Sequence, residues 1–237
     1  MRGKIKTAMV LAAGYGKRLQ PLTQHLPKPL VPVAGKPMIQ YALDKLLAYG
    51  IEEVVINVSY LREPLVAWLS DYGRLKFRIS EEPEPLETGG GLKKALPLLG
   101  TEPFFTINSD IIWTDEGESA LQRLSQCWEE ATMDVLLLAQ SKSKAVGHDQ
   151  GEDHVFILPE NTIGWSTGDA PYIIAGVGIM HPRILANAPS GKFSVKVLWR
   201  EALAANRLFC LPHRGRWFQT GTVEDIRKAE ENISAGA

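Results

Sequence analysis

The chain has 237 residues, 45% of them hydrophobic, with 26 Lys and Arg set against 27 Asp and Glu for a formal net charge of -1. That length and apolar content can bury a sizeable core, while near neutrality excludes a protein that coats nucleic acid, which needs a cationic face. Two cysteines, Cys127 and Cys210, make neither a disulfide framework nor a metal cluster and read as ordinary reduced thiols, and no window approaches the roughly 18 consecutive apolar residues of a membrane span.

The opening MRGKIKTAMVLAAGYGKR has the basic-then-apolar order of an export signal. Its apolar stretch is short and runs into Gly14, Gly16 and Lys17, so TAMVLAA reads as a first buried strand. A helix is expected over GKPMIQYALDKLLAYG, with Pro37 near its start and Gly50 at its stop. Then come a strand at EEVVINVS, a helix at REPLVAWLSDYG, a strand at KFRISEE, a helix at TGGGLKKALPLLG and a strand at PFFTINSD. This alternation predicts an α/β fold, three layers deep, in which a mostly parallel mixed sheet carries helices on both faces and binds ligands beyond the strands' carboxyl ends.

After Asp115 the pattern gives a helix through ESALQRLSQCWEEAT and a strand at MDVLLLAQ. From Ser141 to Ala170 the chain turns polar around HVFILPENTIGW, read as a β-hairpin within an insertion that closes over a site. A core strand at PYIIAGVGIMH, a helix at SVKVLWREALAANR, a strand pair in RLFCLPHRGRWF and an amphipathic helix at TVEDIRKAEENISA, capped by Thr222, complete the chain. With no repeat and no long linker, residues 1–237 read as one domain.

Three segments carry candidate chemistry. In LAAGYGKRLQPLTQHLPKP, Gly14 and Gly16 allow close backbone approach to an anion, with Arg18 and Lys28 as the phosphate-binding cations and Lys17 beside them. A dinucleotide-binding turn is the poorer fit, since Leu19 stands where a third glycine belongs and Pro21 follows closely. ETGGGLKKAL offers a second glycine-rich turn, whose helix-start N–H groups suit an anion or a base carbonyl. Asp110, closing FTINSD, stands at a strand end, where a carboxylate near polyphosphate implies an intervening cation such as Mg2+.

These segments together resemble the sugar-1-phosphate nucleotidylyltransferases, and the likeness continues through PLETGGG, NSD, GVGIMHP and GRWFQTGT over nearly the whole chain. The resemblance implies a nucleotidyltransferase fold with a nucleotide-binding half over about 1–115 and a sugar-binding half over about 116–237. It also implies direct in-line transfer of a nucleoside monophosphate to a sugar 1-phosphate with release of pyrophosphate. UTP and N-acetylmuramate α-1-phosphate, in cell-wall recycling, are the foremost substrates, and a mannose- or heptose-1-phosphate guanylyltransferase is the alternative. Carried over by position, Leu11, Ala12, Ala13, Gly14, Gly16, Lys17, Arg18, Lys28, Glu87, Gly89, Gly90 and Asn108 hold the nucleotide, with Arg18 on the departing pyrophosphate. Glu87, Asp110 and Gly176 face the sugar, and Arg18, Lys28 and Asp110 form the catalytic set. Mg2+ is the implied cofactor, on Asp110 and Gln219. A cytoplasmic monomer or small homo-oligomer, with no nucleic-acid or membrane partner, is expected.

Two positions depart from the family pattern. Relatives read W-x-D-x-G-T where this chain has Trp217-Phe218-Gln219-Thr220-Gly221-Thr222, so a neutral amide replaces a metal-binding aspartate. That exchange keeps open a nucleotide-binding sensor or regulatory subunit that has lost turnover. The Glu-Lys-Pro motif, whose lysine grips the sugar phosphate in many relatives, is absent, leaving Lys142, Lys144 and Lys192 as candidate substitutes.

Overall fold

A computed structural model describes residues 4–147, 154–166 and 169–234. In chain order its strands are β1 (Thr7–Leu11), β2 (Pro32–Val33), β3 (Lys36–Pro37), β4 (Glu53–Val58), β5 (Lys76–Glu81), β6 (Phe104–Asn108), β7 (Ile111–Trp113), β8 (Val135–Ser141), β9 (Ala145–Val146), β10 (His154–Ile157), β11 (Ile163–Trp165), β12 (Tyr172–Met180), β13 (Leu208–Pro212) and β14 (Trp217–Gln219). The helices are α1 (Met38–Tyr49), α2 (Arg62–Tyr72), α3 (Glu87–Leu99), α4 (Ala120–Cys127), α5 (Lys196–Ala204) and α6 (Val223–Ser234).

Strands β6, β1, β4 and β5 run parallel in that spatial order, and β12 joins β6 antiparallel. β8 lies antiparallel on the far side of β12 and carries β13 parallel to itself. Strand alternation divides the core. Ala8, Val10, Val54, Ile56, Phe105 and Ile107 face the cluster built by α1, α2 and α4, while Met9, Val55 and Phe104 face the one built by α3 and α5. This is the three-layer α/β/α arrangement, with a mixed sheet between two helical layers.

Local chemistry sets the ends of the elements. Gly50 closes α1 at φ 94°, its N–H donating to the carbonyls of Leu46 and Leu47. Thr222 and Asp225 cap α6 reciprocally: Thr222 Oγ1 accepts from Asp225 N–H at 3.1 Å, and Asp225 Oδ2 accepts from Thr222 N–H at 2.9 Å. α4 is shorter than its sequence pattern, because Trp128 turns extended at ψ 127° and buries its indole in the core.

Two sequence expectations change. β13 and β14 form no pair with each other: β13 belongs to the main sheet, whereas β14 runs antiparallel to β7 and parallel to β9 in a separate small sheet. The hairpin β10–β11 forms, but it extends the main sheet through His154 opposite Ile173 and Val155 opposite Tyr172. No described residue of 141–170 lines either of the two cavities described below, so the expected closure over a site is not seen among them. Cys127 and Cys210 form no disulfide, and burial pushes the Cys210 thiol up to about 12. Among the described residues no helix is long and apolar enough to cross a membrane.

His213 follows β13 and is buried, its N–H donating to the carbonyl of Ala139 at 2.7 Å. Burial lowers its pKa below the ordinary histidine value, with Asp115 among the groups pulling the other way. The unfolded chain therefore binds more protons than the fold as pH drops below about 6.5, so this residue's share of stability is complete above that pH and declines below it. His213→Gln should narrow the gap between urea midpoints measured near pH 7.5 and near pH 5.5; an unchanged gap would assign the acid sensitivity elsewhere.

Candidate active site

The carboxyl ends of β1, β4, β5 and β6 open into a cavity of about 210 Å³. Its wall is held by a buried polar chain. Ala12 N–H donates to Asn57 Oδ1 at 2.8 Å, Asn57 Nδ2 donates to Glu82 Oε1 at 2.7 Å, and Leu86 N–H donates to Glu82 Oε2 at 2.8 Å. Asn57 and Glu82 are only 3% and 1% exposed. The chain thus ties the loop after β1 to the ends of β4 and β5 and to the entry of α3. Gly91 makes room for it, since a Cβ there would lie 2.7 Å from Glu82 Oε1.

Lys28 and Asp110 meet at the cavity. The Lys28 ammonium pairs with Asp110 Oδ2, and their side chains are 14% and 23% exposed. Ser109 N–H continues the β1–β6 ladder by donating to the Leu11 carbonyl at 3.1 Å. Thr220 donates to the Asp110 carbonyl through both its N–H, at 3.1 Å, and its hydroxyl, at 2.8 Å. Burial raises the Asp110 pKa, but the Lys28 ammonium, a backbone hydrogen bond and the Arg18 charge outweigh it and hold the carboxyl below its ordinary value. A carboxylate kept ionised beside a cation is the arrangement that phosphate chemistry uses.

The structure gathers most of the residues expected from sequence. Leu11, Ala12, Ala13 and Gly14 line one wall, and Lys28, Glu87, Asn108 and Asp110 line the others. Glu87 holds a φ of 61° at the start of α3, and its carboxylate lies 3.9 Å from Lys192 Nζ. Arg18 is exposed with its guanidinium against Gly221, where a Cβ would stand 2.9 Å from Nη2. Lys17 turns away, its ammonium 5.3 Å from the centre of the Tyr15 ring. Gly16 takes φ 65° and packs against Thr23, whose hydroxyl donates to its carbonyl at 2.9 Å. Gly14 has neither positive φ nor any atom within 4 Å of a would-be Cβ. Packing does not require a glycine there.

The second glycine turn has a different partner from the one its sequence suggests. Gly89 and Gly90 both donate their N–H groups to the Phe193 carbonyl, at 2.9 and 3.1 Å, rather than presenting them to a ligand. A methyl on Gly89 would overlap the Phe193 ring, and one on Gly90 would overlap the Gly191 carbonyl. These glycines let the segment before α5 lie directly on the first turn of α3.

A second cavity of about 220 Å³ adjoins the first, and Leu11, Thr88 and Asn108 line both. Gly176 lies on its wall at φ 69°, within the irregularity of β12 between Ile174 and Gly178. Lys142 pairs instead with Asp169, and neither Lys144 nor Lys192 lines either cavity. Lys196 and Trp199 of α5 line the second one. Their spacing in SVKVLWREALAANR, three apart on one helix face, was the available sequence signal. Asn57 and Glu82 also go unnoticed in the sequence, Asn57 as one polar residue in an apolar strand and Glu82 as one of several acidic residues after β5.

For a metal, the donors at hand are the Asp110 carboxylate and the amide of Gln219, which stands opposite Ile111 in the β7–β14 register. Among the described residues no three His, Cys, Asp or Glu side chains cluster. One carboxylate and a neutral oxygen fit a hard divalent ion that shares its remaining positions with phosphate oxygens and water.

A family model described as nucleotidyl transferase matches residues 7–152. The chain is 38% identical to the N-acetylmuramate alpha-1-phosphate uridylyltransferase of Caulobacter vibrioides over 97% of each chain. It is 31% identical to the mannose-1-phosphate guanyltransferase of Hypocrea jecorina over 92% of this chain and 61% of that protein. The structure superposes on a UDP-glucose pyrophosphorylase complexed with UDP-glucose with a TM-score of 0.82 at 19% identity, covering 98% of this chain and 100% of the other.

The glycines separate packing from ligand approach. Gly89→Ala should cost about 1–3 kcal/mol through overpacking against Phe193, whereas Gly14→Ala should stay within about 0.5 kcal/mol of wild type. Denaturant unfolding of both variants checks the contrast. Equal losses would mean that Gly14 too is a packing residue.

Proposed function

The chain belongs to the nucleotidyl transferase family, and on that premise we propose that it transfers UMP from UTP to N-acetylmuramate α-1-phosphate, releasing pyrophosphate and forming the nucleotide sugar. The observation that carries the reaction class is the Lys28–Asp110 pair, set at the mouth of the parallel strands beside the Leu11–Gly14 loop. The uridylyl and N-acetylmuramate assignment leans on the Caulobacter relative, which is matched end to end at the higher identity. We read residues 1–115 as the nucleotide half and 116–237 as the sugar half of one domain, and place the enzyme in the cytoplasm, where nucleoside triphosphates are made.

The chemistry is one displacement. An oxygen of the sugar phosphate attacks the α-phosphorus of UTP, and the bond to the bridging oxygen breaks so that pyrophosphate leaves with that electron pair. No covalent enzyme intermediate is needed, so the protein's work is positioning and charge stabilisation. The Leu11–Gly14 loop seats the triphosphate, and open space at Gly14 lets it approach the backbone closely. Lys28 supplies a compact positive charge to the reacting phosphoryl oxygens. Arg18, beside Gly221, serves the departing pyrophosphate. Asp110, with the Gln219 amide, would hold Mg2+, which neutralises phosphoryl charge when bound.

Pyrophosphate release with Mg2+ should require UTP and N-acetylmuramate α-1-phosphate together. GTP with mannose 1-phosphate should give far less, and the opposite ranking would overturn the substrate assignment. Lys28→Met and Asp110→Asn should each lower kcat about 10²–10³-fold, the usual scale for losing one transition-state electrostatic contact. Nucleotide binding without turnover in the wild-type protein would instead favour the sensor reading. If Gln219 faces the ion, Gln219→Asp should tighten Mg2+ dependence; unchanged kinetics in that variant would remove Gln219 from the metal site.

A further inference from the structure

The second cavity is walled largely by apolar side chains, among them Leu92, Leu137, Ile174 and Val195. Most of its polar groups are already engaged. Thr88 Oγ1 accepts from Val195 N–H at 2.9 Å, Ser194 Oγ accepts from Lys196 N–H at 3.3 Å, and the Lys196 residue has a further partner within the chain. The Trp199 Nε1 is shut away from solvent and so out of reach of a ligand in the cavity. Thr106 and Asn108 differ. Among the described residues neither side chain has a hydrogen-bond partner, both residues are half-buried, and their polar atoms are not sealed off. They stand two apart on β6, so they share one face of the sheet at a spacing of roughly 6.5 Å along the strand. Opposite Thr106 on β12 is Gly178, so no side chain at that position covers the hydroxyl.

The shared wall orders what a ligand meets. With the sugar phosphate beside Asp110 in the first cavity, Asn108, which lines both cavities, comes first, and Thr106, which lines only the second, lies deeper. On a hexose 1-phosphate, the substituent at C2 neighbours the anomeric phosphate. In an N-acetylhexosamine that substituent is an acetamide, whose N–H and carbonyl point in opposite directions and which ends in a methyl. Flanked by hydrogen bonds of about 2.8–3.0 Å on both sides, an amide suits two partners set two residues apart on a strand. A pocket whose open polar groups are one hydroxyl and one amide, in apolar walls, matches a neutral amide with a methyl. A C2 hydroxyl is too short to use both groups and leaves the walls without an apolar partner.

We propose that Thr106 is a specificity residue for the acetamido group of the sugar, its hydroxyl donating to the acetamide carbonyl while Asn108 Oδ1 accepts the acetamide N–H. This rests on the uridylyltransferase reading above. The contact forms with the bound ground state and persists through the reaction, so it acts chiefly on KM rather than on kcat.

The test compares wild type, Thr106→Val and Thr106→Ser in pyrophosphate release with UTP and Mg2+, using N-acetylmuramate α-1-phosphate and muramate α-1-phosphate, which lacks only the acetyl group. The wild type should prefer the acetylated sugar. Thr106→Val, which keeps the shape and removes the hydroxyl, should raise the KM for that sugar about 5–50-fold, the scale of leaving one enclosed polar group unpaired, and should cut the preference accordingly. The KM for UTP should not move. Thr106→Ser, which restores a hydroxyl, should retain most of the preference. An unchanged KM for the acetylated sugar in Thr106→Val would overturn the proposal, as would an equal loss on both sugars. A rise in the KM for UTP would overturn it too, by placing the hydroxyl on the nucleotide. Failure of the wild type to turn over either sugar with UTP would overturn the uridylyltransferase assignment itself, and this proposal with it.

Discussion

The site depends on one constraint: two polar side chains buried at the strand ends must satisfy each other. Asn57 and Glu82 are almost fully enclosed, and a buried amide or carboxyl without partners is costly. Each is answered by the other and by a backbone N–H, from Ala12 and from Leu86. The result is a brace running across four segments, added to the strand ladder and to the packing of α3 on the sheet. The Leu11–Gly14 loop is anchored to that brace through the Ala12 N–H and to the end of β6 through the Leu11 carbonyl. Gly91 belongs to the same device, since any side chain there would push the two apart.

Charge follows a similar economy. A chain with a net charge of -1 offers no general attraction for polyphosphate, so its cations must be few and fixed. Lys28 is fixed by Asp110 and Arg18 lies against Gly221, while the carbonyl of Asp110 is held by Thr220. Residues from the first thirty and from the last twenty therefore converge on one aspartate in the middle of the chain. The separate sheet of β7, β14 and β9 sets Gln219 opposite Ile111 and Thr220 against the Asp110 carbonyl, which explains why β14 does not pair with β13 despite their closeness in sequence.

Much of this was legible in the sequence. Alternating apolar strands and periodic helices gave the layers, because each pattern has one way to bury its face. The glycine loop, Lys28 and Asp110, grouped in the sequence by residue type, do meet at one cavity. What stayed hidden depended on distant neighbours. Gly89 and Gly90 look like ligand-facing donors until Phe193, about a hundred residues later, turns out to accept both N–H groups. Asn57 and Glu82 carry no local signature, since their meaning lies in each other. Lys142 looked available until its partner Asp169 was placed, and Lys196 was hidden within an ordinary amphipathic helix.

The contact between the starts of α3 and α5 has a consequence for how such a protein can change over time. Phe193 accepts from Gly89 and Gly90 and donates to the carbonyl of Leu86, and the Thr88 hydroxyl accepts from Val195, so the two helix entries are laced together mainly through backbone groups. The floor under the second cavity is therefore inherited as a unit with the wall of the first. Exchanges at 196 or 199 can therefore reshape the second cavity while the wall it shares with the first is carried forward unchanged.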